Sequence, residues 1–321
     1  MAVRRRYYKE LRINQLRALL EISRCSGFTE AAKSLDLAPP TVWQQIRSIE
    51  QAFHTSLVTV RGHQVELTPD GHLLVDLSRP LVEGFDSLQQ RFVEYAGSKL
   101  RLSVVAPNDI LAFELIPAIR EFRKHWPDLD LRLVDSPSNP GRQLLENGEV
   151  DLAVIGQLTK DVPSSLACEH ATEFPFMLVT QNTHALAKLE SISLADLASY
   201  PLIMPTTGTN SRMRIDEVFA QASLHKKLKI AIQASTKELV LEYVRMDFGA
   251  AIAPISRRFL ESFDSHQGDS DIVFRDLSRL FGFEQIVILR RRSAYEPKHQ
   301  TFFRQSVLDQ LCSANDAGEC S

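Results

Sequence analysis

The chain of 321 residues has only four cysteines, Cys25, Cys168, Cys312 and Cys320, and no two stand in a CxxC spacing. That scatter supports neither a zinc site nor a disulfide framework. Cys25 and Cys168 read as small hydrophobes. No apolar run approaches the roughly 18 residues of a membrane span. The basic start, MAVRRRYYKE, is not followed by an apolar export core. A cytoplasmic protein without membrane contact is expected. Nucleophile elbow, Walker loop and HExxH are all missing. His125, His170, His184 and Ser164 stand alone, and Pro140-Gly141 is a turn rather than a phosphate-cradling loop. No catalysis, no metal and no cofactor are expected. There is no low-complexity region and no short internal repeat.

What is present begins with charge. The net charge of −3 hides an asymmetry, because residues 1–67 carry +4 and the remainder −7. A basic head on an acidic body is the layout of a DNA-binding domain attached to something else. Arg4, Arg5 and Arg6 are either an arm for phosphate contacts or a solvated tail. The length suits two or three domains.

The head holds the densest signal, between residues 16 and 71. Gly27-Phe28-Thr29 breaks a first helix, and Thr29 is expected to cap a second. Ala31 and Ala32 are small enough for a close helix crossing. Leu35 and Leu37 follow as apolar anchors. Ala38-Pro39-Pro40 is a turn and a restart, with Pro40 near the first helical position. Val42, Ile46, Ile49 and Phe53 then recur at core spacing. The opposite stripe includes Gln44 and Arg47. Gln44 and Gln45 can pair with adenine, and Arg47 with guanine or phosphate. Thr41 and Trp43 lie near the DNA backbone, and Arg61, His63 and Gln64 form a wing tip. The whole reads as two helices, a recognition helix and a wing.

This stretch resembles the N-terminal domain of LysR-type transcriptional regulators. The match rests on Gly-Phe-Thr-x-Ala-Ala, the prolines before the third helix, Gln45-Ile46, Glu50 and Val65-Glu66-Leu67-Thr68-Pro69-x-Gly71. Four positions depart from the pattern. Trp43 stands where serine is usual, His54 where glycine is usual, and Val58 and Val60 in a usual Leu-Phe-x-Arg segment.

After Gly71, Leu73, Leu77, Leu81, Phe85, Leu88, Phe92 and Tyr95 recur at spacings of three and four. A helix over residues 70 to about 95 is expected, with Pro80 disturbing it. Its apolar seam calls for a partner, and the resemblance implies that this helix pairs subunits. Leu73, Leu77, Leu81, Phe85 and Leu88 are the dimerisation residues. Tetramers are equally compatible.

From residue 100 onward, apolar strands alternate with helices in a βαβαβ rhythm, which implies a mostly parallel sheet. One helix is expected over Ile110–His125. The segments PLIMPTTGTNSRM and STKELVLEYVRMDFGAAIAP resemble the effector domain of the same regulators, most of all the CysB-type branch that controls sulfur assimilation. The expected fold is therefore an N-terminal all-α winged helix-turn-helix (1–69), a linker and dimerisation helix (70–96), and a two-lobed α/β effector domain of the type-2 periplasmic-binding-protein kind (97–315). Lobe I takes about 97–163 and 268–315, and lobe II about 164–267.

Strand-to-helix loops lie at the carboxyl edge of a parallel sheet, where ligands bind. Asn108, Ser136, Thr206, Thr207, Thr209 and Thr236 sit in such loops and are the expected effector-binding residues, offering hydroxyls, amides and helix N-termini. Each also serves equally well as a plain helix cap. Ile110 and Leu111 replace polar residues usual in the sulfate-sensing branch and are expected to form an apolar wall. Asp109 opposes an anion, with Arg212 or Arg245 as the compensating cation. The function expected is a sequence-specific regulator that binds double-stranded DNA, self-associates and responds to a small-molecule effector. That effector is a small anion, organic rather than inorganic sulfate, with a link to sulfur or related anion metabolism. A cytoplasmic small-molecule-binding protein and a DNA-binding protein without effector response are the alternatives.

Overall fold

Leu16, Leu19 and Leu20 repeat at helical spacing and bury one face of α1 (Ile13–Ile22). The computed structural model describes residues 11–25, 27–61, 64–95, 100–157, 162–163, 165–266, 271–292 and 294–316. The chain divides into two compact units, with the boundary between Ser98 and Lys99. In the first unit α2 (Phe28–Ser34) follows, and its buried Ala31 and Ala32 allow a close crossing. Gly27, not Thr29, is the cap: its carbonyl accepts the Ala31 N–H at 3.1 Å, so the helix starts two residues earlier than expected and Thr29 lies inside it. α3 (Pro39–Phe53) starts with two prolines. Their missing N–H groups fall where a helix has no acceptor to offer. Val42, Ile46 and Ile49 form its buried face, but Phe53 and Leu37 are exposed. α3 ends at His54 in a left-handed conformation (φ 55°).

The wing is a hairpin of β1 (Val58–Arg61) and β2 (Gln64–Leu67), with Val58 opposite Leu67. Thr68 then closes the wing and starts α4 (Pro69–Tyr95): its hydroxyl donates to the Ser56 carbonyl at 2.7 Å and accepts the Gly71 N–H at 3.0 Å. Gly71 is required there, because a Cβ would stand 2.1 Å from the Leu57 carbonyl oxygen. α4 runs unbroken through Pro80. Val75, Ser78 and Val82 are buried, and the two valines join the core built on α1. The other face, Leu73, Leu77, Leu81, Phe85, Leu88 and Phe92, is at least half exposed at every position.

The second unit starts with β3 (Arg101–Ala106) and a π-helical turn, Ile110–Glu114. α5 (Ile116–His125) follows, so the single helix expected over 110–125 is two pieces. Pro117 cannot donate to a carbonyl four residues back, and the Leu115 N–H reaches Ile110 O instead at 3.0 Å. Then come β4 (Asp130–Asp135), α6 (Ser138–Asn147), β5 (Leu152–Gln157) and the 16-residue β6 (Leu166–Gln181). The next block is α7 (Leu194–Ser199), β7 (Pro201–Pro205), α8 (Asn210–Gln221), β8 (Lys229–Ala234), α9 (Lys237–Arg245) and β9 (Ala250–Pro254). It closes with α10 (Arg257–His266), β10 (Ile272–Asp276), α11 (Ser278–Phe281), β11 (Phe283–Arg291) and α12 (Lys298–Asp316).

These strands form one mixed sheet in the order β4-β3-β5-β11-β6-β9-β7-β8, with β10 also on β6. β3 is parallel to β4 and β5, and β7 to β8 and β9. β6 and β11 run antiparallel to their neighbours. The expected mostly parallel sheet is thus two parallel blocks joined by antiparallel strands. β6 belongs to both lobes. Residues 166–175 pair with β11, and 176–179 pair with β9. The crossing to lobe II therefore falls at Pro175-Phe176 rather than near 163, and the return lies after β10 rather than near 268. Proline fits that seam, since its missing N–H falls where the ladder changes partner. Phe122, Phe303, Leu152 and Ile288 sit in the lobe I core, and Phe176, Phe219, Leu202 and Ile252 in that of lobe II. Cys25 is half-buried, and burial and Glu21 push its thiol up to about 11. Cys168 is exposed on β6 rather than packed as a hydrophobe.

Candidate functional site

Two sites emerge, one in each unit. In the first, α3 buries Val42, Ile46 and Ile49 and exposes Thr41, Trp43, Gln44 and Arg47. Gln45 is half-buried, and its Oε1 has no hydrogen-bond partner. Arg47 is held from two sides. Its Nη1 donates to Glu50 Oε2 at 2.7 Å, and its guanidinium lies 5.3 Å from the Trp43 ring centre. Glu50 is itself buried, and its Oε1 accepts the N–H groups of Leu57 at 2.8 Å and Val58 at 3.3 Å. The helix face and the start of the wing are thereby tied through one carboxylate. Thr29 is exposed on α2. Of the expected wing residues, His63 and the side chains of Arg61 and Gln64 lie outside the described residues, as do Arg4, Arg5 and Arg6.

In the second unit, a cavity of about 360 Å³ opens between the loops that follow β3, β4, β7 and β8. Asn108, Thr206, Thr209 and Thr236 line it. Ser136 and Thr207 do not. Ser136 is buried, and Ser138, the first residue of α6, lines the wall instead. Ser138 Oγ accepts the Gly156 N–H at 3.1 Å. Thr207 turns its hydroxyl to Gln233 Oε1 at 2.9 Å. Thr209 and Thr236 also cap α8 and α9, accepting the N–H groups of Arg212 and Leu239, both at 3.3 Å. Ile110 faces the cavity, whereas Leu111 packs against the lobe I core.

The cation beside Asp109 is Lys237 rather than Arg212 or Arg245. Arg212 folds back onto Asp216 at 2.9 Å and onto the Pro205 carbonyl at 3.1 Å. Arg245 pairs with Glu242. Lys237 Nζ stands 2.5 Å from Asp109 Oδ2 and within 6 Å of the rings of Phe174 (5.6 Å) and Phe259 (5.7 Å). Glu284, on β11, also lines the wall. Burial pushes its carboxyl up to about 7, with Lys237 opposing and Asp109 adding to the rise. Gly156 makes room for it, since a Cβ there would stand 2.5 Å from Glu284 Oε1. Below the pocket, the buried Asn210 amide donates to the Gly156 carbonyl at 2.6 Å.

Sequence reasoning missed Lys237 and Glu284. Lys237 was within reach, as the residue directly after the Ser235-Thr236 loop. Glu284 gave no local signal, because the sequence does not show which strand β11 lies beside. Among the described residues no group of His, Cys, Asp and Glu could hold a metal ion. No described helix is long and apolar enough to cross a membrane.

Comparison with known proteins bears on both sites. Residues 13–72 match the model for the bacterial regulatory helix-turn-helix protein of the lysR family, and residues 96–311 that for the LysR substrate binding domain. The HTH-type transcriptional activator CmpR of Synechocystis sp. is 27% identical over 256 residues, covering 79% of this chain and 82% of CmpR. The HTH-type transcriptional regulator CysB of Haemophilus influenzae is 25% identical over 307 residues, covering 93% of this chain and 88% of CysB. A point variant of full-length OxyR from Pseudomonas aeruginosa superposes with a TM-score of 0.62 at 19% identity, covering 95% of this chain and 96% of OxyR.

Proposed function

This chain belongs to the LysR family of DNA-binding transcriptional regulators, and from that premise we propose how its two sites divide the work. Regulators of this family bind DNA and small-molecule effectors and are oligomeric. The finer reading is that the exposed face of α3 reads base edges in the major groove. Gln44 and Arg47 make the specific contacts, Gln45 lies at the edge of the face, and Thr29, Thr41 and Trp43 lie near the backbone. Arg61, His63 and Gln64 supply non-specific phosphate affinity from the wing. Two chains pair along Leu73, Leu77, Leu81, Phe85 and Leu88 of α4.

The effector reading places a small organic molecule with an anionic group in the cleft of the second unit. The observation that carries it is the convergence on one cavity of the starts of α6, α8 and α9, through Ser138, Asn210 and Lys237. Helix N-termini favour negative charge and offer free N–H groups. Similarity to CysB supports a link to sulfur or related anion metabolism. The wall of Ile110, Phe174, Val240 and Ile286 favours an organic ligand over a bare inorganic anion. No catalysis is assigned to the chain.

Footprinting of the chain's own upstream region, with and without candidate metabolites, tests the regulatory reading. A coupling of about 1–3 kcal/mol between effector and DNA is expected. A ligand that binds the native state stabilises it by about 2.7 kcal/mol at a hundredfold excess over Kd, so a thermal-shift panel finds it. Thr206→Val and Asn108→Leu weaken its binding. A stabilising ligand whose affinity survives both substitutions places the pocket elsewhere.

A further inference from the structure

The charge on the cavity wall does not suit an anion alone. Lys237 is the one cation among the described wall residues, against Asp109, Asp135 and Glu284. Lys237 already has a counter-ion, since Asp109 lies 2.5 Å away and both side chains are half-buried. The Glu284 carboxyl makes no hydrogen bond to another described residue, and Glu284 lines the cavity. An anion that takes Lys237 strips Asp109 of its partner in a half-buried site. Breaking such a pair from one side is the costly direction. A cation that takes Asp109 does the same to Lys237. A ligand with both charges avoids either cost by exchanging partners with the pair.

We propose that the effector is a zwitterion of the α-amino-acid kind, bound by exchange with the Lys237–Asp109 pair. Its carboxylate takes Lys237 Nζ and the N–H groups at the starts of α6, α8 and α9. Its ammonium group takes Asp109, with Glu284 as a second acceptor. The cavity volume of about 360 Å³ suits a small metabolite of this class. The exchange also has a structural consequence. Asp109 comes from the loop after β3 in lobe I, and Lys237 from the start of α9 in lobe II. The pair is therefore a latch between lobes, and a bound zwitterion replaces that direct contact with one made through itself. The proposal rests on the reading of the cleft as the effector site.

Calorimetry on the full chain tests it. Each α-amino acid is compared with the 2-hydroxy acid of the same carbon skeleton and with the amine that lacks the carboxylate. At least one amino acid is expected to bind saturably, with both counterparts at least about tenfold weaker. Asp109→Asn should reverse the preference, because it frees Lys237 for the hydroxy acid. A hydroxy acid within about threefold of its amino acid, or no amino acid binding at all, overturns the proposal. If the hydroxy acid is preferred and Asn108→Leu weakens it, the cleft remains the effector site and only the zwitterion falls. If an amino acid binds with equal affinity to the wild type, Asp109→Asn and Lys237→Met, the site is not this cleft and both readings fall. The matched probes decide the first question on wild-type protein even where Asp109→Asn does not fold.

Discussion

Arg47 on α3 and Glu50 one turn later form an ion pair at 2.7 Å whose carboxylate also receives two backbone N–H groups from the start of the wing. Glu50→Ala leaves the buried N–H groups of Leu57 and Val58 without an acceptor. A loss of about 1–3 kcal/mol in the stability of the DNA-binding unit is expected, read as a lower midpoint in urea. An unchanged midpoint means the wing start finds other acceptors.

Arg47→Ala should cost roughly 1–3 kcal/mol at the specific site and little at random sequence. Trp43→Ser removes the ring beside the guanidinium and should loosen the same contact to a smaller degree. Gel-shift titration on specific and scrambled duplexes separates the two effects. An equal loss on both duplexes makes Arg47 a phosphate contact.

His54 ends α3 at φ 55°, where a side chain is strained and glycine is not. His54→Gly is expected to stabilise the first unit by up to about 1 kcal/mol. A thermal melt that drops instead shows that the imidazole makes a contact worth more than the strain.

Leu77 and Leu81 are each about 60% exposed on α4. Lysine at both positions would place charges against an apolar partner helix, which is prohibitive without counter-ions. Light scattering should find a monomer. An unchanged oligomer in this variant means that the seam is not the interface.

Glu284 titrates near 7 in the folded chain, against an ordinary value near 4.5. The native state thus holds a proton between those values that the unfolded chain has released. Its stabilising contribution is complete below about 4.5 and is lost as pH rises through about 7. Glu284→Gln should match the wild type at low pH and exceed it above neutrality, by on the order of 1–2 kcal/mol after solvent screening in the open cavity. Burial is the main cause of this rise, Lys237 opposes it and Asp109 adds to it, so the effect should shrink modestly in Asp109→Asn. Parallel melting curves at pH 5 and pH 8 decide it.

Much of this molecule was legible in the sequence because its signals are local. The helix-turn-helix shows in Ala31, Ala32 and the α3 prolines, which act within a few residues of themselves. The α4 seam is a plain periodicity. Strand-to-helix loops pointed to Asn108, Thr206, Thr209 and Thr236, since hydroxyls and amides gather where helices start. The errors arose where a distant partner decides. Thr29 lost the cap to Gly27 because only backbone conformation separates them. Ser136 is buried, and Ser138 at the start of α6 lines the cavity in its place. Lys237 and Asp109 are 128 residues apart in sequence, and their pairing follows from the closure of two lobes rather than from either loop.

The position of β11 in the sheet has a consequence for how the chain is made. Synthesis runs from the N-terminus, and β11 occupies residues 283–291. It is inserted between β5 and β6, strands that end about a hundred residues or more earlier. A nascent chain that has already delivered β3 to β10 still has a gap in the middle of lobe I, with two unpaired strand edges facing each other. Such late, non-local pairings are slow and expose edges to aggregation. Chaperone demand should therefore peak just before the last strand emerges from the ribosome. A truncation ahead of residue 283 removes the middle of the sheet rather than a dispensable tail.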